Sequence, residues 1–305
     1  PLVTGVQTCA LPILVCEEFK EHYINKPYGD VWHNLRKLAY KVHPYRWMTI
    51  GASLNHIEDA SLDDVKAFFK KHYNPSNAVL VVAGNVETQQ VRTLAEKWFG
   101  PIPAGIKYDR NIPVEPAQTN AAHLEIKANV PLDALYKCWH IFPRNDQRYY
   151  TCDLITDILG GGASSRLFQK LVKELALFSN IECYHMGCTD AGLLVIEGKL
   201  VKGVNMQDAE AAILAELETL KLNGISENEL EKVKNKVESS MAFEDMSLMN
   251  RASSLAMYEL LGDANLINTE LEKYRAVTST DIREISQHVF RPENCSTLHY
   301  LSETK

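Results

Sequence analysis

The chain has no cysteine pair at CxxC spacing, no two histidines three or four positions apart, no long apolar run and no surplus of positive charge. Each absence excludes something. Seven cysteines without CxxC spacing argue against a zinc ribbon or a thioredoxin-type redox motif. Apart from Cys9, which falls in the N-terminal stretch set aside below, the six others read as free, mostly buried thiols, which favours a reducing compartment and so the cytoplasm over the periplasm. No stretch reaches the roughly 18 apolar residues of a membrane span, so no membrane partner is expected. With 32 Lys and Arg against 39 Asp and Glu, the net charge is −7. A nucleic-acid partner therefore has no electrostatic support. The ten histidines form no HxxH, HExxH or HxxEH, so no complete helical histidine metal pair is present.

What is there is ordinary for a globular protein: 305 residues, 46% hydrophobic and 23% charged. That length accommodates about two domains. One stretch is chemically loaded. In "LVCEEFKEHY", from Leu14, the side chains of Glu17, Glu18, Glu21 and His22 crowd together. On a helix Glu18 and His22, four apart, share a face and look like half of a metal site. The stretch before it, "VTGVQTCALPI", has neither helical nor strand periodicity. It back-translates codon for codon into a synthetic oligonucleotide adapter. Pro1–Ile13 is accordingly read as a sequencing-adapter artefact, outside the fold and making few packed contacts.

The chain also repeats itself. "SLDDVKAFFKKHYNPSNAVLVVAG" from Ser61 aligns without a gap on "TSTDIREISQHVFRPENCSTLHYL" from Thr278, at an offset of 217. Asp64 matches Asp281, Pro75 matches Pro292, and Asn77 matches Asn294. Each copy predicts a Ser or Thr cap, an amphipathic helix closed by an aromatic, an x-Pro-x-Asn turn and a departing strand. The second copy opens at the strand "AHLEIKA" near His123, after a proline-rich linker. Applying the offset to His123 leaves about 94 residues of the first copy outside this sequence.

The expected organisation is then 14–108 as the C-terminal part of a first domain, 109–120 as a linker, and 121–305 as a complete second domain. In the second domain "LYKCWHIF", "NIECYHMG" and "GLLVIEGKL" read as strands. "RYYTCDLITDILGGG" reads as a helix stopped by glycine, and "ASSRLFQKLVKELAL" as a helix with a Ser cap. "NMQDAEAAILAELETLKLNG" and "SENELEKVKNKVESSMAFED" read as helices, the latter opened by a Ser226–Glu229 capping box. Two further helices and a last strand follow. The class is α+β, with helices packed on one face of a mostly antiparallel sheet.

These segments resemble the pitrilysin/insulinase family of zinc peptidases, which includes the mitochondrial processing peptidases. The likeness is carried by "VCEEF", by "HPYRWMTIGASLNHIEDASLDDVKAFFKKHYNPSNAVLVVAGNV", by "WFGPIPAG" and by "LGGGASSRLFQKLVKE". It is similar to the short, two-domain bacterial members. The resemblance implies tandem processing-peptidase-like domains, the first incomplete here. It implies a Zn²⁺ cofactor held by two histidines of an HxxEH helix, whose Glu is the general base, and by a Glu from a later helix. Glu18 matches that third ligand; three protein ligands leave zinc an open fourth position. His22 matches no family ligand and reads as a solvated helix residue.

The same resemblance exposes departures. The supporting acid expected seven residues before Glu18 falls at Leu11, in the adapter-like stretch. The Arg and Tyr with which the family's second domain grips substrate fall at Val172 or Lys173 and at Phe178 or Ser179. The counterpart of the metal helix in the second domain, "YYTCDLITDIL", has no histidine, so that domain is expected to be non-catalytic. No catalytic residue is assigned within this chain. The implied activity is zinc-dependent endoproteolysis of peptides or unfolded segments, with this chain inactive alone. The alternative is a non-catalytic peptide-binding or assembly subunit of the same family. A homodimer or a heterodimer with a related subunit fits either reading.

Overall fold

The computed structural model describes residues 5–303, with side chains from 12 onward. Leu11, expected to stand where a supporting acid belongs, lies outside the described side chains. The described elements run α1 (Gly5–Phe19), α2 (Val31–Ala39), α3 (Asn55–Glu58), α4 (Leu62–His72) and α5 (Thr88–Phe99). Then come β1 (Ala122–Ala128), β2 (Ala134–His140), α6 (Arg148–Gly160), β3 (Phe178–Met186) and β4 (Leu193–Leu200). The chain continues through α7 (Met206–Asn223), α8 (Glu227–Glu244), α9 (Leu248–Leu260), α10 (Leu266–Arg275) and α11 (Ser279–Val289) to β5 (Cys295–Ser302).

Packing divides the chain into two compact units, neither continuous in sequence. One gathers the residues up to Glu17, Ser53–Ile112 and Val237–Leu271. The other gathers Glu18–Ala52, Pro113–Lys236 and the residues from Glu272 onward. The passage from Ile112 to Pro113 falls inside the stretch expected as a linker, while residues 18–52 and 237–271 group across it.

The second unit holds the sheet, in the order β1-β5-β2-β4-β3. β1 runs parallel to β5, and every other pairing is antiparallel. The expected α+β class and mostly antiparallel sheet are what is found. β1 alternates half-buried and exposed residues, as an edge strand does, whereas β2 is buried on both faces up to its last residue. Lys137 and His299 turn to one face and reach α7 through Glu210. The other face carries Tyr136, Cys138, Val195, Leu298 and Tyr300, packed against Val31, Leu35 and Ala39 of α2. So α2 covers the second face, a layer the sequence reading did not anticipate.

The repeat is visible at the level of single hydrogen bonds. Ser61 caps α4 and Thr278 caps α11, each in a reciprocal capping box with the Asp three residues on. The amide-to-hydroxyl bonds are 3.2 Å for Asp64 and 3.1 Å for Asp281. One 3₁₀ turn follows each helix, Pro75–Asn77 and Pro292–Asn294. All of these bounds differ by the offset of 217.

Four local expectations are corrected. The stretch without periodicity is helical from Gly5, although Pro12 sits inside that helix; Ile13 is 62% exposed. The strand expected after Asn77 does not form: residues 78–84 are not in a sheet and are largely exposed. A strand needs neighbours to take its backbone bonds. The helix after the glycines is wound as a π-helix over Phe168–Glu174, and no serine caps it. The Ser165 hydroxyl is buried without a hydrogen-bond partner, and that of Ser164 faces Lys232. Three helices rather than two follow α8. The six described cysteines are free, and five are buried.

Candidate functional site

Glu18 sits in the last turn of α1 and His22 in a π-helical turn, Lys20–Ile24, that continues it. Both are exposed. Their positions follow from the opposite face: Cys16 and Phe19 point inward, each 6% exposed, and Phe19 packs against Tyr23 and His33. Turning those apolar groups in turns the acids out. A catalytic zinc centre needs about three protein ligands, and Glu18 with His22 offers two donors at most. No group of three His, Cys, Asp or Glu side chains placed to hold a metal occurs among the described residues. By themselves these residues do not fit a catalytic zinc.

The positions where the resemblance expects a substrate-gripping Arg and Tyr hold other chemistry. Val172 is half-buried, and the Lys173 ammonium lies 5.5 Å from the Phe168 ring. Phe178 is 1% exposed; a Cβ built on Gly198 would come within 2.6 Å of its ring. Ser179 donates its hydroxyl to the Lys199 carbonyl at 3.0 Å. Phe178 is thus a core residue beneath β4.

The structure gathers two polar clusters that sequence spacing did not reveal. The first lies on α6. The imidazole of His185 in β3 stands 3.0 Å from the Asp153 carboxylate through Nδ1 and 2.7 Å from the Tyr149 hydroxyl through Nε2. Tyr274 donates to the other Asp153 oxygen at 2.6 Å. Burial opposes the charge on Asp153, but the hydrogen bonds from His185 and Tyr274 outweigh it and hold the carboxyl below its usual range. With Asp153 ionised, the His185 Nδ1–H donates to that carboxylate and Nε2 accepts a hydrogen bond from the Tyr149 hydroxyl. The geometry resembles a catalytic relay, but burial pushes the Tyr149 phenol up to about 12. At neutral pH the phenol stays protonated and is no nucleophile. The cluster ties α6 to β3 and α10.

The second cluster joins the sheet to α7. Lys137, 3% exposed, donates to Glu210 at 2.5 Å and to Thr297 at 2.8 Å. His299 meets the other Glu210 oxygen at 2.9 Å. The hydrogen bond from His299, with that from Lys137, lowers the Glu210 pKa to about 2. A groove of about 890 Å³ lies beside it, lined by Glu125, Lys127, Asp133, Lys202 and His299 among others. Its charges are mixed, and no nucleophile–base pair lines it. The chain spacing from Lys137 to Glu210 and His299 carries no motif, so only the sheet register could reveal the cluster.

Comparison with known proteins agrees with the fold. Residues 59–237 match the family described as Peptidase M16 inactive domain. The chain is 26% identical over 292 residues to the zinc protease PqqE of Helicobacter pylori, covering 93% of this chain and 65% of that protein. It is 27% identical over 280 residues to the zinc protease YmxG of Bacillus subtilis, covering 91% of this chain and 66% of that protein. The chain thus spans about two thirds of the length of these curated relatives. Among solved structures, a protease from Helicobacter pylori superposes with a TM-score of 0.89 at 24% identity, over 97% of this chain and 72% of that one. With more than half of its residues matching the family, the chain belongs to peptidase M16 through that family's inactive domain.

Proposed function

We propose that this chain is part of a zinc-dependent endopeptidase acting on peptides or unfolded segments, in which Glu18 is one of three zinc ligands. The observation that carries the reading is an exposed Glu18 in a "VCEEF" helix within a chain of this family. The relatives named zinc proteases support it. The two histidines and the general-base Glu would come from an HxxEH helix that this sequence does not contain. The chain alone therefore holds no catalytic zinc and cleaves nothing.

The test is to join the chain to the preceding coding segment of its gene and measure zinc content and cleavage of an unfolded peptide. One zinc per molecule and chelator-sensitive cleavage, both lost in Glu18→Gln, are the expected result. Chelator-sensitive cleavage by the 305-residue chain alone would overturn the reading.

A second reading is a non-catalytic peptide-binding or assembly subunit. The residues at the gripping positions favour it: Val172, Lys173, a buried Phe178 and a Ser179 bonded to main chain. An extended protein that neither binds zinc nor cleaves would decide for this subunit.

A further inference from the structure

Three polar groups on the walls of the 890 Å³ groove are unpaired. The first belongs to His299, which is 6% exposed. Its Nε2 stands 2.9 Å from the Glu210 carboxylate. Glu210 is ionised at neutral pH, so in the neutral ring Nε2 carries the proton and Nδ1 keeps a lone pair. That Nδ1 has no hydrogen-bond partner among the described residues, and an unpaired polar atom on a buried residue costs free energy.

The second is the first amide of α7. Asn205 caps that helix: its side chain accepts from the Gln207 and Asp208 amides at 2.8 and 3.2 Å, and its carbonyl from the Ala209 amide at 3.1 Å. The Met206 amide is left without a partner among the described residues. It lies at the positive end of an 18-residue helix. The third is the exposed Lys202, which makes no ion pair or hydrogen bond among the described residues. The acids of the groove are engaged or wet. Glu125 lies 3.6 Å from the Lys127 ammonium, Asp133 accepts from the Ser302 amide at 2.7 Å, and Glu303 is exposed, where water screens it.

Met206 and Glu210 are four apart on α7 and share a face. The imidazole that Glu210 holds therefore lies one turn, ~5.4 Å, along the helix from the unpaired amide. We propose that this groove binds the free C-terminus of a peptide. The carboxylate accepts from the Met206 amide and the Lys202 ammonium, and the last peptide N–H donates to His299 Nδ1. The last side chain, apolar, lies against Leu132, Val204 and Leu301, all half-buried. In a peptide the last nitrogen and the carboxylate carbon are ~2.5 Å apart. A hydrogen bond of ~2.9 Å at each end lets the pair span the one-turn separation. A simple anion such as acetate would satisfy the two donors and leave His299 unpaired. An amidated peptide would satisfy His299 and bring no charge to Lys202. A peptide with a free carboxylate pairs all three, and capture of a chain-terminal carboxylate by backbone amides is a recurring mode of recognition. The inference depends on neither zinc nor Glu18.

The experiment titrates the isotope-labelled 305-residue chain, with no zinc added, and follows the Met206 amide by NMR. The ligands are N-acetylated Ala-Ala-Leu with a free carboxylate, the same peptide amidated at its C-terminus, the same peptide N-methylated at its leucine, and acetate. The free-acid peptide should give a saturable shift. The amidated and N-methylated peptides, each missing one partner, should bind about tenfold more weakly, and acetate should not compete at the same concentration. Lys202→Gln should weaken the free-acid peptide about tenfold and leave the thermal midpoint unchanged, because the side chain is exposed. Equal binding of the amidated or the N-methylated peptide would overturn the proposal. So would acetate matching the peptide, or a Met206 amide that does not respond. None of these results bears on the zinc reading, which is tested by the metal content of the extended protein.

Discussion

Asn77 and Asn294, one offset of 217 apart, make the same bond: each side-chain amide donates to the carbonyl five residues back, His72 or Val289, at 2.9 Å. The bond closes the end of each helix and aims the chain out of the turn. Asn294 does more, because it also donates to the His140 carbonyl at 3.0 Å and is 5% exposed. Asn77 is exposed.

That difference sets unequal costs. Asn294→Ala strands one buried and one part-buried carbonyl and should destabilise by ~1–3 kcal/mol. Asn77→Ala, where water replaces the amide, should cost less than ~1 kcal/mol. Urea unfolding of the two variants checks this, and equal losses would contradict it.

The Glu210 cluster predicts an acid limb to stability. Its pKa falls from 4.5 to about 2 on folding, so the folded state binds the proton less readily than the unfolded chain. The stabilisation is complete above the unfolded value near 4.5 and is lost as pH falls towards 2. Glu210→Gln should remove that part of the pH dependence. At neutral pH it should also cost ~3–5 kcal/mol, because Lys137 is left buried without its counter-ion. Adding Lys137→Met should recover much of the loss. Urea midpoints at a series of pH values give both results.

Gly160 ends α6 against β3. A Cβ there would lie 2.1 Å from the Cys183 backbone nitrogen, and backbone cannot step aside as a flexible side chain can. Gly160→Ala should therefore destabilise by ~3 kcal/mol, at the upper end of overpacking costs. Gly203, with nothing within 4 Å of an added Cβ but a φ of +88°, should suffer only backbone strain on the same change, ~1–2 kcal/mol. Thermal melts rank the two.

Glu18→Gln should leave the fold alone, because an exposed side chain away from caps and core shifts stability by no more than ~0.5 kcal/mol. Denaturant midpoints check this. A large loss would show that Glu18 supports the helix, and its effect on zinc could not then be read as ligation.

The sequence by itself determined whatever depends on neighbours within a few positions. Ser61 and Thr278 cap their helices with the Asp three residues on, and Pro75 and Pro292 open their turns, because capping and turn chemistry close within one turn of chain. The strands β1 to β5 were legible as segments, and the order of strands and helices carried the α+β class. Tertiary structure decided what needs a distant partner. "AVLVVAG" and "CSTLHYLS" follow the same turn, but only the second has β1 and β2 beside it, so only the second is a strand. Lys137, Glu210 and His299 come together through sheet register and the seating of α7, and Asp153 meets His185 across α6 and β3. Nothing local announces such pairs. Helix α2 took the second face of the sheet because Val31, Leu35 and Ala39 bury against Tyr136, Cys138 and Leu298. The helical spacing of those three residues implies an apolar stripe, and only the folded chain shows what it covers.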